Sequence, residues 1–190
     1  MAYNLKDVFY LGATHEYPAG TYGSAGIEGN IPIDVSAYVD PISKGRQRGQ
    51  GLAIYKVHAQ VAGDSTGNMQ LPADVGAATF GLTVKPYATS GDNSGAIEAG
   101  DLTVASDLLV YLGNFTSPAS NANGLGTQNK LMEPSEDVPY VCVRDTIFQI
   151  LETSVGMSTG DSMFVSYRLE CAMISLDTAT LNQLLRTQTA

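Results

Sequence analysis

The clearest pattern in the chain is a strict alternation near its C-terminal end. Met163, Val165, Tyr167, Leu169, Cys171 and Met173 occupy every second position, with Ser166, Arg168 and Glu170 between them. A period of two puts these sets on opposite faces of one extended strand. Residues 52–61 repeat it, with Tyr55, Val57, Ala59 and Val61 on one face and Lys56, His58 and Gln60 on the other. Residues 31–39 alternate through Ile31, Ile33, Val35 and Ala37 and end at Asp40-Pro41. Residues 78–84 carry Phe80, Leu82 and Val84 inward. Residues 138–151 read as one long, bent strand, with Val141, Val143 and Ile147 on one face and Tyr140, Cys142, Phe148 and Ile150 on the other, the latter interrupted by Arg144.

Two short stretches change period. Leu102, Ala105, Leu108, Leu109 and Leu112 fit a helical stripe, with Asp101 as N-cap and Gly113 just past the end. A strand through Val104, Leu108 and Val110 is the competing reading. Leu181, Leu184 and Leu185 form a second stripe, opened by Asp177. The intervals at 86–101 and 114–137 read as polar loops, and 63–68 and 154–161 as turns. Residues 1–30 are rich in Gly, Tyr and Ala and make a poor helix and a poor strand. They are expected to form an extended arm whose Phe9, Tyr10, Tyr17 and Tyr22 need apolar cover on a neighbouring subunit. Residues 31–190 then form one β-sandwich domain with a short C-terminal helix.

Composition sharpens this. Charged residues are only 15% of the chain, against about a quarter in ordinary domains. A surface poor in charge suits packing against copies of itself, because interface cores are depleted in charged residues. The formal net charge is −9 and no basic arm is present, so direct binding of nucleic acid is not expected. The short cluster Lys44, Arg46 and Arg48 reads as a solvated loop. The N-terminus has no apolar core, so no secretory signal is expected, and no run matches the ~18 apolar residues of a membrane span.

Candidate chemistry is sparse. His15 and His58 lack partners at ligand or general-base spacing. Gly63-Asp-Ser-Thr-Gly67 departs from a nucleophile elbow, which requires a strand before it and a helix after it. Asp92, Asn93, Glu98 and Asp101 lack calcium-loop spacing. Cys142 and Cys171 sit in strand-like runs and read as buried free thiols; a disulfide would need adjacent strands. These observations point to no enzyme, no cofactor and no metal. Arg144, beside Asp145, and Arg168, near Glu170, place charges on strands where they can fix register between subunits.

The Tyr/Gly-rich segment before Ile31-Pro-Ile-Asp-Val, the strands at 52–61, 78–84, 138–151 and 162–176, and the long loops between them resemble the single jelly-roll capsid proteins of small icosahedral viruses and of membrane-containing tailless phages and archaeal viruses. That resemblance implies an all-β fold, a jelly-roll-like antiparallel β-sandwich with one or two short helices. It also implies a structural protein, a major capsid or coat subunit that self-assembles into an icosahedral virion shell. Its partners would be copies of itself and other capsid proteins, with an internal membrane beneath the shell. Its location would be the virion, assembled in the host cytoplasm. The subunit interface would draw on Phe9, Tyr10, Tyr17, Tyr22, Arg144 and Arg168. The alternative is a carbohydrate-binding β-sandwich module, for which Tyr38, Tyr87 and Tyr111 near loops would offer stacking surfaces.

Overall fold

The computed structural model describes residues 7–18, 26–40, 48–63, 77–85, 104–116, 127–153 and 162–189. The strands run β1 (Phe9–Tyr17), β2 (Gly26–Asp34), β3 (Arg48–Ala62), β4 (Ala77–Thr83), β5 (Leu109–Thr116), β6 (Thr127–Met132), β7 (Tyr140–Cys142), β8 (Thr146–Thr153) and β9 (Met163–Asp177), followed by helix α1 (Thr178–Thr189). They form two sheets, ordered β1-β9-β3-β7 and β2-β8-β4-β5-β6. Every pairing is antiparallel. The chain passes between the sheets at β1–β2, β2–β3, β3–β4, β6–β7, β7–β8 and β8–β9. This is a jelly roll, with β6 added at the outer edge of the second sheet.

The long alternations do what they predict. Met163, Val165, Tyr167, Leu169 and Cys171 on β9 meet Leu52, Ile54, Val57 and Val61 on β3 in the core between the sheets. A register shift between Ile54 and Lys56 keeps the inward face apolar across the bulge. The second sheet contributes Phe80, Leu82, Tyr111, Phe115, Ile147 and Leu151. Phe80 sits at the centre, with ring centroids 5.9 Å from Tyr111 and 6.3 Å from both Phe115 and Tyr167.

Four expectations are corrected. The segment read as an arm is, over Phe9–Tyr17, strand β1, paired without interruption to Met163–Cys171 of the same chain. The sandwich therefore begins at β1 and not at Ile31. The helix expected at 101–112 is a turn over 104–108 followed by β5; residues 101–103 lie outside the described residues. Leu109, Val110, Tyr111 and Leu112 are all buried, so both faces of β5 are apolar and its leucines mimic a helical stripe. The single strand expected over 138–151 is two strands in different sheets. The chain crosses from β7 to β8 at 143–145, where Val35 N–H donates to the Asp145 carbonyl at 2.8 Å. Finally, the expected loop at 114–137 contains β6, a polar edge strand with no apolar alternation to reveal it.

Helix α1 matches its expectation. The Asp177 carboxylate accepts from Thr180 N–H at 2.8 Å, a side-chain N-cap. Leu181 packs with Val143 and Leu176, and Leu184 and Leu185 lie half-buried against the same group. Leu176 and Gly49 stand on the face of β9 and β3 opposite the core, so α1 covers the outside of the first sheet. Gly49 makes room for it, since a Cβ there would lie 2.5 Å from Leu181 Cδ2.

Two glutamines finish this sheet. The Gln188 amide donates to the Val141 carbonyl at 2.7 Å and accepts from Val143 N–H at 3.1 Å. The Gln128 amide does the same on β3, donating to Ala59 at 2.7 Å and accepting from Val61 at 3.1 Å. Each side chain stands in for one residue of a further strand.

Candidate interaction surface

The outer face of β1, β9 and β3 that α1 leaves uncovered carries the polar half of the two best alternations. Register sets Tyr10 opposite Glu170, Gly12 opposite Arg168 and Thr14 opposite Ser166. On the far side His58 lies opposite Arg168 and Lys56 opposite Glu170. Arg168 does not pair with Glu170. Its guanidinium lies 4.0 Å from the centroid of the exposed Tyr10 ring, a cation–π contact. Glu170 turns instead to His58, with Oε1 2.8 Å from Nε2. Thr14 donates to Ser166 at 3.0 Å. His58 is half exposed, so this pair is worth at most about 1 kcal/mol. On this face Arg168, Glu170 and Ser166 of β9 are each held by a side chain of a neighbouring strand.

The structure scatters the expected interface residues. Tyr10 and Arg168 come together on this face. Phe9 is half-buried and stacks on Tyr38, with ring centroids 4.8 Å apart. Tyr17 is 3% exposed and belongs to the chain's own core, which corrects its assignment to a subunit contact. Arg144 is half-buried in the crossing between β7 and β8, off any strand, and its carbonyl accepts from Cys142 Sγ at 3.4 Å. Tyr22 lies outside the described residues, as do Tyr87, the 64–68 turn, the 154–161 turn, residues 44–47 of the basic cluster and the 86–101 loop with its carboxylates. Sequence reasoning missed the His58–Glu170 pair, because only the β3–β9 register brings the two together. It also missed both capping glutamines, which no local pattern marks.

Both cysteines and the core phenols are buried or largely buried. Cys142 and Cys171 are free thiols on β7 and β9, which β3 separates, and burial pushes each thiol up to about 12. Burial likewise raises the phenols of Tyr111, Tyr140 and Tyr167. It lowers the His15 imidazole, and nearby Glu16 partly opposes that shift. Among the described residues no group of His, Cys, Asp and Glu is placed to hold a metal ion, and no helix is long and apolar enough to cross a membrane. An open cleft of about 240 Å³ lies between the 104–110 segment and the 132–140 segment, lined by Val104, Val110, Met132, Val138 and Tyr140. Exposed Val104 and Val138 line it together with Asp107 and Glu133.

Neither a protein-family model nor a curated protein matches this sequence. Among solved structures, the chain is similar to VP1 of Trichodysplasia spinulosa-associated polyomavirus in complex with sialylated precision glycooligomers, with 9% identity and a TM-score of 0.44 over 93% of this chain and 97% of that one. It is also similar to the unassembled pentamer of Merkel cell polyomavirus VP1, with 10% identity and a TM-score of 0.41 over 92% and 98%. A third is apo New Jersey polyomavirus VP1, with 9% identity and a TM-score of 0.42 over 90% and 100%.

Proposed function

We propose that this chain is a structural protein, the major coat subunit of an icosahedral virion shell, built from copies of itself together with other capsid proteins. The observation that carries the reading is a jelly-roll sandwich in a chain with only 15% charged residues. Jelly rolls serve both capsids and lectins, and a charge-poor surface favours repeated protein contacts. The net charge of −9 argues for a shell that does not touch the genome directly, with a membrane lying between the two. The protein would reside in the virion after assembly in the host cytoplasm. Like-charge repulsion would weaken assembly at low ionic strength.

A carbohydrate-binding module is the competing reading, and the exposed Tyr10 ring favours it. Two findings weaken it: Arg168 covers one face of that ring, and Tyr111 is 2% exposed in the core. Electron microscopy of the purified protein, alone and co-expressed with other coat proteins, tests the proposal. Closed particles support it. A chain that stays monomeric at high concentration in both settings, yet binds on a glycan array, would replace it with the second reading.

A further inference from the structure

Exposed strand edges invite pairing with other chains, and folded proteins guard them with charge, proline, bulges, short length or a covering element. Most edges here are guarded. β7 has three residues, and Gln188 occupies Val141 and Val143. Beyond β7, Gln128 occupies β3 at Ala59 and Val61. β6 presents exposed Lys130, and its register with β5 shifts between Leu112 and Gly113. β2 carries Pro32 and a register shift between Gly29 and Ile31. β1 is the least guarded, with a single charged residue, Glu16, near its end. It holds unbroken register with β9 for nine residues and contains no proline, lysine or arginine. Its core-facing Phe9, Leu11, Ala13 and His15 stay half-buried, and Val8 and Tyr10 are 46% and 53% exposed.

We propose that β1 is a strand-addition site whose occupant is β1 of a second copy, paired antiparallel about Gly12. The two four-stranded sheets would then become one sheet of eight strands. A two-fold contact uses the same patch on both partners. Over residues 9–15, β1 is the least guarded edge among the described residues, so a second copy offers the matching edge. The register about Gly12 suits the charges. Leu11 faces Ala13, Tyr10 faces Thr14 and Phe9 faces His15, while Glu16 falls opposite Val8 and Asp7 opposite Tyr17. No carboxylate meets another across the pair, and residues 9–14 carry no charge. The inference rests on the shell reading for its role, since a two-fold contact is one of the contacts a closed shell needs. One strand pair is small beside the ~1,600 Å² of a standard stable interface, so the dimer is expected to be weak in solution and is best detected by trapping.

The test is Gly12→Cys in the full chain, oxidised at high protein concentration. A Cβ at Gly12 meets nothing closer than 3.8 Å, so the substitution fits the fold. Directly opposed residues of an antiparallel pair have Cα atoms about 4.5–5.5 Å apart, within disulfide range. Native Cys142 and Cys171 are buried and give no background. The expected result is a reducible dimer from Gly12→Cys, none from Asn129→Cys on the β6 edge, and loss of the dimer when Thr14→Lys is added. Equal trapping at both positions, or none at residue 12, overturns the proposal. Hydrogen exchange on the unaltered chain needs no variant: outward amides in 9–15 should slow by at least about tenfold between dilute and concentrated protein. Unchanged exchange also overturns it. Closed particles without trapping at residue 12 sink the edge contact and leave the shell reading standing. Trapping without particles does the reverse.

Discussion

The phenol of Tyr167, on the first sheet, donates a 3.1 Å hydrogen bond to the carbonyl of Gly81, on the second. It is a fully buried polar tie between the two layers, beside the Phe80 ring cluster, and joins the Gln128 bonds to β3 in crossing from one sheet to the other. Burial holds the phenol protonated, so the donor persists at any working pH. Tyr167→Phe keeps the ring and removes the bond, with an expected loss of about 1 kcal/mol. Gly81→Ala should cost more, about 1–3 kcal/mol, because a Cβ there would lie 2.6 Å from the Tyr111 carbonyl. Urea unfolding midpoints at unchanged slope would check both. A Gly81→Ala protein as stable as the parent would show that β5 can yield.

Gln188 should matter beyond its small exposure. Gln188→Ala leaves Val143 N–H and the Val141 carbonyl without their side-chain partner, at a cost of about 1–3 kcal/mol for the buried donor. It also opens the β7 edge, so soluble oligomers or precipitation should appear below the unfolding transition. Light scattering during a thermal ramp measures this. Scattering identical to the parent would mean that α1 shields the edge without the amide.

Legibility in the sequence followed burial asymmetry. β3 and β9 face the core on one side and solvent on the other along much of their length, so their alternation is plain. β5 is buried on both faces and lost its period. β1 carries the alternation Phe9, Leu11, Ala13, His15, but Tyr10 on the opposite face and Gly12 within it blur the pattern. At an edge the inward residues are only half covered, which allows small or polar side chains there. The break between β7 and β8 was masked because the apolar positions keep their phase on either side of Arg144 and Asp145 while the backbone changes sheet. Tyr10 and Arg168 were legible as residues needing partners. That they partner one another follows from the β1–β9 register, which no local pattern encodes.

The C-terminal helix depends on Leu181 more than on Leu184. Leu181 is 6% exposed against Val143 and Leu176, whereas Leu184 is half-buried. Leu181→Ala is expected to cost about 2–5 kcal/mol, and Leu184→Ala clearly less. Paired denaturation curves decide the order. The reverse ranking would place Leu184 at a contact outside the chain's own core.

Both thiols should be silent in the folded protein. Each is buried, and each is pushed up to about 12, so little thiolate forms at pH 8. A thiol reagent such as DTNB should titrate no cysteine in the native chain at that pH and two after unfolding in urea. Rapid native labelling of either residue would mean that β7 opens locally, since β7 is the short strand of its sheet.

His15 supplies a pH signature of the β1 edge. Burial pulls its imidazole below the ordinary 6.5, more than Glu16 restores, and the ring meets Tyr17 edge-on at a centroid distance of 4.8 Å. The folded chain therefore resists a proton at residue 15 that the unfolded chain accepts. Between the lowered folded value and 6.5 the unfolded state binds more protons, so stability rises with pH across that window. The contribution of the neutral ring is complete above about pH 6.5 and is lost as the pH falls through the folded value. His15→Gln removes the titration. The melting temperature of the parent should drop more than that of His15→Gln between pH 7.5 and pH 5, and the two should run parallel above pH 7. Parallel curves through the acidic range would show that residue 15 titrates alike in the folded and unfolded chains, and would remove burial as the influence on its ring.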